Sequence, residues 1–342
     1  MIPLTFKEVV IRMARRILGE ERVHDRLIER GIKLRHLQDG YSGNGEILES
    51  CDGGESRQTL IFMADGKWMH GGLTDRLRGM ASAYKFATEH NLDFKIFHTS
   101  PFLLQEILQP NKVDWIIGEH EISHNCEIAK PVLLYREDFN NDSALERQLD
   151  SRHKQFHLYS CVDTVGEEFP KYFNELFKPS PLLENELTHY SELLGESYTA
   201  ISFRFQNKLG DFKEFTFKEL SEKGKRKLLS AALNMLNTAH GTASGETASK
   251  NEAILVTADS PTFLAEAEKL PNVVTVKGKS IHIDFNNSKN ATDYLKAFTE
   301  FFLISKASKA ILYRNRKYKT YPSNFPKYAA MLGHVPYEIV EE

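Results

Sequence analysis

Cysteine is scarce in this chain: Cys51, Cys126 and Cys161 are the three in 342 residues, they lie far apart, and none belongs to a Cys-x-x-Cys pair. Neither a zinc site nor a disulfide framework is signalled, and reduced, cytosolic thiols are the plain expectation. No run of about 18 apolar residues occurs and the first residues lack an apolar signal core, so the sequence predicts neither a membrane span nor unaided export. There is no excess of positive charge either. The 44 Lys and Arg against 47 Asp and Glu leave a formal charge of −3, which excludes a global basic field for nucleic acid. An anionic ligand must then be met by a local site. What is present is a hydrophobic fraction of 41% beside a charged fraction of 27%, enough to build cores and contrary to disorder. The length exceeds one ordinary domain, so two are predicted.

The chain is organised around residues 58 to 97. Leu60-Ile61-Phe62-Met63 is a short apolar run, Leu73, Leu77, Met80, Tyr84 and Ala87 recur at helical spacing, and Phe94-Lys95-Ile96-Phe97 closes a second strand. This is a β-α-β unit. The pair Gly71-Gly72 at its first turn lets the main chain approach a partner closely, and the N–H groups of the helix that follows attract anions. Adjacent glycines followed by Leu73-Thr74-Asp75-Arg76 do not make the dinucleotide fingerprint.

Before this unit, residues 3 to 35 set Phe6, Val9, Val10, Met13 and Ile17 against Arg12, Arg15 and Arg16. A basic amphipathic helix of this kind suits an anionic membrane surface. Glu20 and Glu21 dilute the charge, which favours an ordinary packed helix with a solvated face. Residues 37 to 57 read as a loop. After the unit, residues 101 to 108 suggest a short helix, and 113 to 117 and 131 to 135 suggest strands. Residues 140 to 177 are charged and aromatic, with helical stretches in no assigned order, and 180 to 196 are helical. From Tyr198 onward, strands at 199–205, 253–259, 273–276 and 309–313 alternate with helices at 224–239, 261–270, 294–305 and 325–332. Such alternation implies parallel sheets covered by helices. The expected architecture is α/β, two Rossmann-like domains facing a cleft. Residues 1–57 form an N-terminal segment, 58–195 an N-terminal domain that takes the acceptor, and 196–342 a C-terminal domain that takes the nucleotide.

Ligands of open α/β sheets sit beyond the carboxyl ends of the strands. Three stretches there carry chemistry: Arg204 with the loop to Asp211, Asp259-Ser260, and Tyr321-Pro322-Ser323-Asn324-Phe325-Pro326. A guanidinium in a buried strand needs a partner, either a phosphate or carboxylate ligand or a structural Asp. Ser323 and Asn324 suit a helix cap, or, beside Arg204, a diphosphate cradle. His70 beside the glycine turn suits a ligand contact or a hydrogen-bonded turn. Residues 281 to 284 alternate like a strand end, with His282 and Asp284 on one side. Tyr313, Tyr318 and Tyr321 with Arg314, Arg316, Lys317 and Lys319 make a basic aromatic patch, able to stack a sugar or to bind nucleic acid, or merely a solvated loop.

Together these residues resemble the GT-B fucosyltransferases, the group that includes the protein O-fucosyltransferases and the core N-glycan and nodulation-factor enzymes. Gly71-Gly72-Leu73-Thr74-Asp75-Arg76 is similar to the first motif, and Ser202-Phe203-Arg204-Phe205 stands in the place of a His-x-Arg-Arg motif. Thr257-Ala258-Asp259-Ser260 resembles the Thr-Asp-Ser segment, and Ser323-Asn324-Phe325 the closing Ser-x-Phe motif. Ser202 replaces the motif histidine and Phe205 its second arginine. The resemblance implies a GDP-fucose donor, with Arg204 on the β-phosphate and Ser323, Asn324 and Phe325 around the diphosphate. Asp259 and Ser260 would lie on the nucleoside side. Gly71, Gly72, Asp75 and Arg76 would reach the sugar and the cleft, and Ser202 would border the donor.

The physics of transfer asks for positive charge and N–H donors at the departing diphosphate. The Asp-x-Asp pair that would hold magnesium after a strand is absent, so no metal or other cofactor is expected. Asp211, Glu214 and Asp75 are the carboxylates considered for the base that takes the acceptor proton. The expectation is an inverting, metal-independent transfer of fucose from GDP-fucose to a hydroxyl of a glycan, in surface polysaccharide synthesis on a membrane-held acceptor. The expected location is cytoplasmic, with peripheral contact at the inner membrane face through the first helix, and no nucleic-acid partner. The alternatives are another nucleotide sugar on the same fold, or a nucleotide- or glycan-binding protein without turnover.

Overall fold

The computed structural model describes residues 33–42, 57–134, 142–212, 218–242 and 252–342. The basic helix expected from residue 3, most of the loop up to residue 57, Cys51 and Glu214 lie outside the described residues. No described helix is long and apolar enough to cross a membrane.

Two sheets organise the chain. The first has the order β2-β1-β5-β4, with β1 (Thr59–Ala64), β2 (Asp93–His98), β4 (Ala129–Leu133) and β5 (Gln155–Tyr159) all parallel. The second has the order β11-β10-β7-β8-β9, again parallel, from β7 (Tyr198–Phe203), β8 (Ala253–Ala258), β9 (Val273–Val274), β10 (Lys309–Arg314) and β11 (Tyr337–Glu341). A small antiparallel pair, β3 (Leu108–Pro110) with β6 (Phe177–Pro179), joins the region between them.

The helices follow the apolar periodicity. Among those described are α1 (Leu73–Glu89), α2 (Phe169–Leu176), α3 (Pro181–Leu194), α4 (Glu222–Thr242), α5 (Pro261–Ala267), α6 (Leu295–Ile304) and α7 (Asn324–Leu332). Ser180, Ser260 and Ser323 cap α3, α5 and α7, each hydroxyl accepting a main-chain N–H of the first turn. Gly79 lets α1 lie close on its sheet, since a Cβ there would stand 3.2 Å from both the Phe62 ring and the Ser160 carbonyl.

The two halves share one apolar core. The Phe173 ring of α2 lies 5.9 Å from Phe302 and 6.1 Å from Phe301 of α6, and Phe169 meets Tyr328 of α7 edge-on at 5.1 Å. Thus α7, last in the chain, packs on helices of the first sheet and brings its N-terminus to the seam.

Several expectations change. Residues 101 to 108 hold only a 3-10 turn, Leu104–Glu106, with Leu108 opening β3, and β7 ends at Phe203, so Arg204 stands just past the strand and not inside it. Residues 113 to 117 are not a strand: Trp115 turns inward, its indole donating to the Leu176 carbonyl at 2.8 Å, and Ile116 makes a single bridge to Ile96. The unordered stretch from 140 to 177 contains β5, an inner strand of the first sheet. Its polar Gln155 and His157 hide it in the sequence, yet His157 is buried and hydrogen-bonded to the Tyr41 hydroxyl at 2.6 Å. Residues 281 to 284 do not end a strand but lead into a single 3-10 turn, Ile283–Phe285.

Candidate active site

A cavity of about 220 Å³ opens where the carboxyl ends of β7, β8 and β10 face the start of α1 across the seam. Gly72 to Asp75 border it from the first half, and Ser202, Arg204, Thr257 and Asp259 from the second. Ser323, Asn324 and Phe325 at the start of α7 complete the wall. Two helix N-termini from opposite halves therefore meet there, each with a partial positive charge.

Arg204 reaches the cavity with its side chain 18% exposed, and its Nη1 donates to Asp259 Oδ2 at 2.9 Å. Its guanidinium also lies 5.0 Å from the centre of the Phe212 ring. This half-buried arginine thus has the Asp partner that sequence reasoning offered as the structural alternative to a ligand. Asp259 does more than neutralise it. Its carboxylate accepts the N–H groups of Phe205 at 2.8 Å and Gln206 at 2.7 Å, holding the turn beyond β7 in which Gln206 has a φ of +57°. Asp259 therefore fixes the arginine and its loop while it borders the cavity.

Asp75 is the exposed carboxylate on the facing wall. One oxygen accepts the Gly72 N–H at 3.0 Å, and the other accepts from Arg78 at 2.5 Å. Its side chain stays 26% exposed, and each oxygen keeps a second lone pair. Gly71 is required beside it: its φ is +85°, and a Cβ would stand 2.5 Å from Asp75 Oδ2.

Other predicted residues lie elsewhere. Arg76 is buried and bonded to Asp284 at 2.7 Å, to His98 and to the Ser100 carbonyl; it braces the seam and does not border the cavity. The Gly71 N–H is taken by the same Asp284, at 2.5 Å. The anion expected at the start of α1 is, for this group, a carboxylate of the chain itself. Asp211 accepts from the Ser260 hydroxyl at 2.6 Å and the Thr262 N–H at 3.0 Å. Both Asp211 and the fully buried Ser260 set the start of α5 behind the cavity wall. Asp211, a base candidate in the sequence, holds the start of α5 and is not among the residues that border the cavity.

His70 is buried and bonded to the Ser160 carbonyl at 3.0 Å, the turn histidine of the two readings. Burial, then the charge of Arg76, pushes its imidazole down to about 3. Ser202 lines the cavity through a buried 2.8 Å hydroxyl pair with Thr257.

Sequence reasoning missed Lys279, Lys296 and Glu300, all at the cavity, where His282, singled out with Asp284, also lies. Lys296 and Glu300 are buried and paired, and Lys296 also donates to the Val276 carbonyl at 2.7 Å. Burial raises the Glu300 carboxyl above its ordinary value, against the opposing charge of Lys296. A signal existed: two opposite charges four residues apart in the otherwise apolar helix Leu295–Ile304.

No protein-family model matches the sequence, and neither does any curated protein. Solved structures do match. The fucosyltransferase NodZ from Bradyrhizobium is similar over 84% of this chain and 96% of its own, with a TM-score of 0.51 at 15% identity. A NodZ α-1,6-fucosyltransferase soaked with GDP-fucose is similar over 83% and 94%, with a TM-score of 0.51 at 14% identity. Arabidopsis thaliana FUT1 in complex with GDP is similar over 98% of this chain and 79% of its own, with a TM-score of 0.54 at 11% identity. The chain shares the GT-B fold of these solved structures. In this fold the cavity lies at the seam of the two Rossmann-like halves, with Arg204 on one wall and Asp75 on the other.

Proposed function

We propose that the protein transfers fucose from GDP-fucose to a hydroxyl of a glycan, with inversion and without a metal. The observation that carries this reading is the convergence of Arg204 with the starts of α1 and α7 on one cavity, in a fold whose solved examples include a fucosyltransferase soaked with GDP-fucose.

Breaking the sugar–phosphate bond leaves negative charge on the departing diphosphate. Arg204, held in place by Asp259 and Phe212, meets that charge with a cation already oriented, and the main-chain N–H groups at the start of α7 add to it. Donors fixed before the reaction need no reorganisation during it, and losing one costs about 3 kcal/mol. Asp75 takes the proton of the acceptor hydroxyl as the oxygen attacks the anomeric carbon from the face opposite the diphosphate. Gly72 and Arg78 hold the carboxylate in position for that contact. Inversion follows from a single displacement. The residues of 196–342 hold the donor and those of 58–195 present the acceptor; a role in surface polysaccharide synthesis at the cytoplasmic face belongs to the same reading.

Calorimetry with GDP and UDP, followed by incubation with GDP-fucose and a glycan panel, tests it. GDP should bind at least about tenfold more tightly than UDP, and transfer should persist in EDTA. Preferential UDP binding would replace the donor, and GDP binding without transfer or donor hydrolysis would make the protein a binder.

A further inference from the structure

Beside the cavity, and sharing Tyr321 with it, lies a second hollow of about 410 Å³ bordered by Arg314, Arg316 and Lys319. Glu341, at the end of β11, is the one carboxylate on its wall. Across the strand end, Glu342 stands on the wall of a further hollow with Lys223, Arg226 and Lys227 from α4. Six cationic side chains thus border the two hollows against two carboxylates, in a chain whose formal charge is −3. The positive charge is local, and the first of the two hollows shares Tyr321 with the candidate active site.

The first hollow is built rather than incidental. Glu341 is shared by both guanidiniums, Arg314 at 2.7 Å and Arg316 beside it, so one negative charge serves two positive ones. The Arg314 Nε is buried with no hydrogen-bond partner among the described residues. The loop that carries Lys319 is tied down: the Asn315 N–H donates to Thr320 Oγ1 at 2.7 Å and the Tyr318 N–H to Asn315 Oδ1 at 3.0 Å. Lys319 itself has a φ of +49°. Cations crowded in a fixed loop repel one another unless an anion joins them. Burial first and the charge of Lys319 next hold the Lys208 amine below its ordinary range.

We propose that this band binds an anionic polysaccharide, a chain of sugars bearing carboxylates, and leads its hydroxyl end past Tyr321 into the cavity. Repeated anions along a sugar chain match cations spread over two hollows whose walls carry the chain neighbours Glu341 and Glu342, and the exposed ring of Tyr321 offers a face for sugar packing. The two linings contain no Leu, Ile, Val, Met or Phe, so they offer no aliphatic wedge for a bilayer. That the bound chain is the acceptor rests on the transferase reading; the binding itself does not.

Affinity electrophoresis of the full chain tests the surface, with alginate as the polyuronate probe, and with dextran, phosphatidylglycerol vesicles and an oligothymidylate as the other arms. Alginate should retard the protein and salt should release it, while dextran has no effect. Arg316→Gln with Lys319→Asn should weaken alginate binding about five- to tenfold, and Arg226→Gln with Lys227→Gln should weaken it similarly. GDP affinity and the thermal midpoint should stay unchanged in both pairs. Failure of alginate to bind, undiminished binding by both charge-removed pairs, or retention by vesicles or oligothymidylate in place of alginate would overturn the proposal. Alginate binding through these residues in a protein that binds no GDP would sustain the surface while removing the transferase reading.

Discussion

Asp284 accepts a 2.7 Å hydrogen bond from Arg76, with the two side chains 3% and 6% exposed, and so joins a turn of the second half to helix α1 of the first. The same carboxylate accepts the Gly71 N–H. One side chain thereby sets both the seam and the glycine turn that carries Asp75 to the cavity.

Removing either charge leaves its partner buried without its counter-charge. Arg76→Met and Asp284→Asn should each lower stability, Arg76→Met by about 3 to 5 kcal/mol and Asp284→Asn by less, because the amide still offers an acceptor. Denaturant unfolding of the two single variants and the double variant checks this. The double variant should lose less than the sum of the singles; simple additivity would mean that the pair is not coupled.

Arg204→Ala should reduce turnover at least about 100-fold. The effect on stability should be small, about 1 to 2 kcal/mol, since Asp259 keeps two main-chain N–H donors. Arg204→Lys should recover part of the GDP affinity but not the full rate. Calorimetry, single-turnover kinetics and a melting curve separate these outcomes. A variant that unfolds at room temperature would show that the ion pair with Asp259 is the residue's whole purpose.

Gly71→Ala should be costly for two reasons: the positive φ and the clash with Asp75. A loss of about 1 to 2 kcal/mol is expected from the backbone alone, with a fall in transfer rate as the carboxylate is displaced. Comparing transfer with GDP affinity is the check, because the donor wall is untouched and GDP binding should hold.

Acid should unfold the protein through buried imidazoles. Burial first, then the charge of Arg76, pushes His98 down to about 3 as it does His70; burial, then His124 and Lys67, does the same to His157. The folded state therefore binds fewer protons than the unfolded state between about pH 3 and 6.5, and stability rises with pH across that window. It should be full above pH 7 and fall by about 1 to 2 kcal/mol per histidine on going to pH 5. Thermal midpoints measured from pH 8 to 4.5 test this, and a flat profile would mean that the three rings are not held neutral.

Much of the second sheet was legible. The apolar runs at 253–258 and 309–313 and the cap Ser260-Pro261 are local signals, since a buried parallel strand and a serine before proline have few other uses. Strand β5 and edge strand β11 were missed: one carries His157 among aromatics, the other alternates with glutamates. Arg204 and the cap at Ser323 were found because a charge in a strand and a polar pair before a helix are anomalies visible one residue at a time.

What the sequence alone determined is therefore the α/β alternation, the glycine turn before α1 and the arginine at the end of β7, each settled by neighbours in the chain. The tertiary structure decided which carboxylate meets which cation. Asp259 lies 55 residues from Arg204, and Asp284 lies 208 from Arg76. Burial gives such charges their strong demand for a partner, but the partner is selected by how two sheets and α7 pack across the seam, and no local pattern encodes that distance.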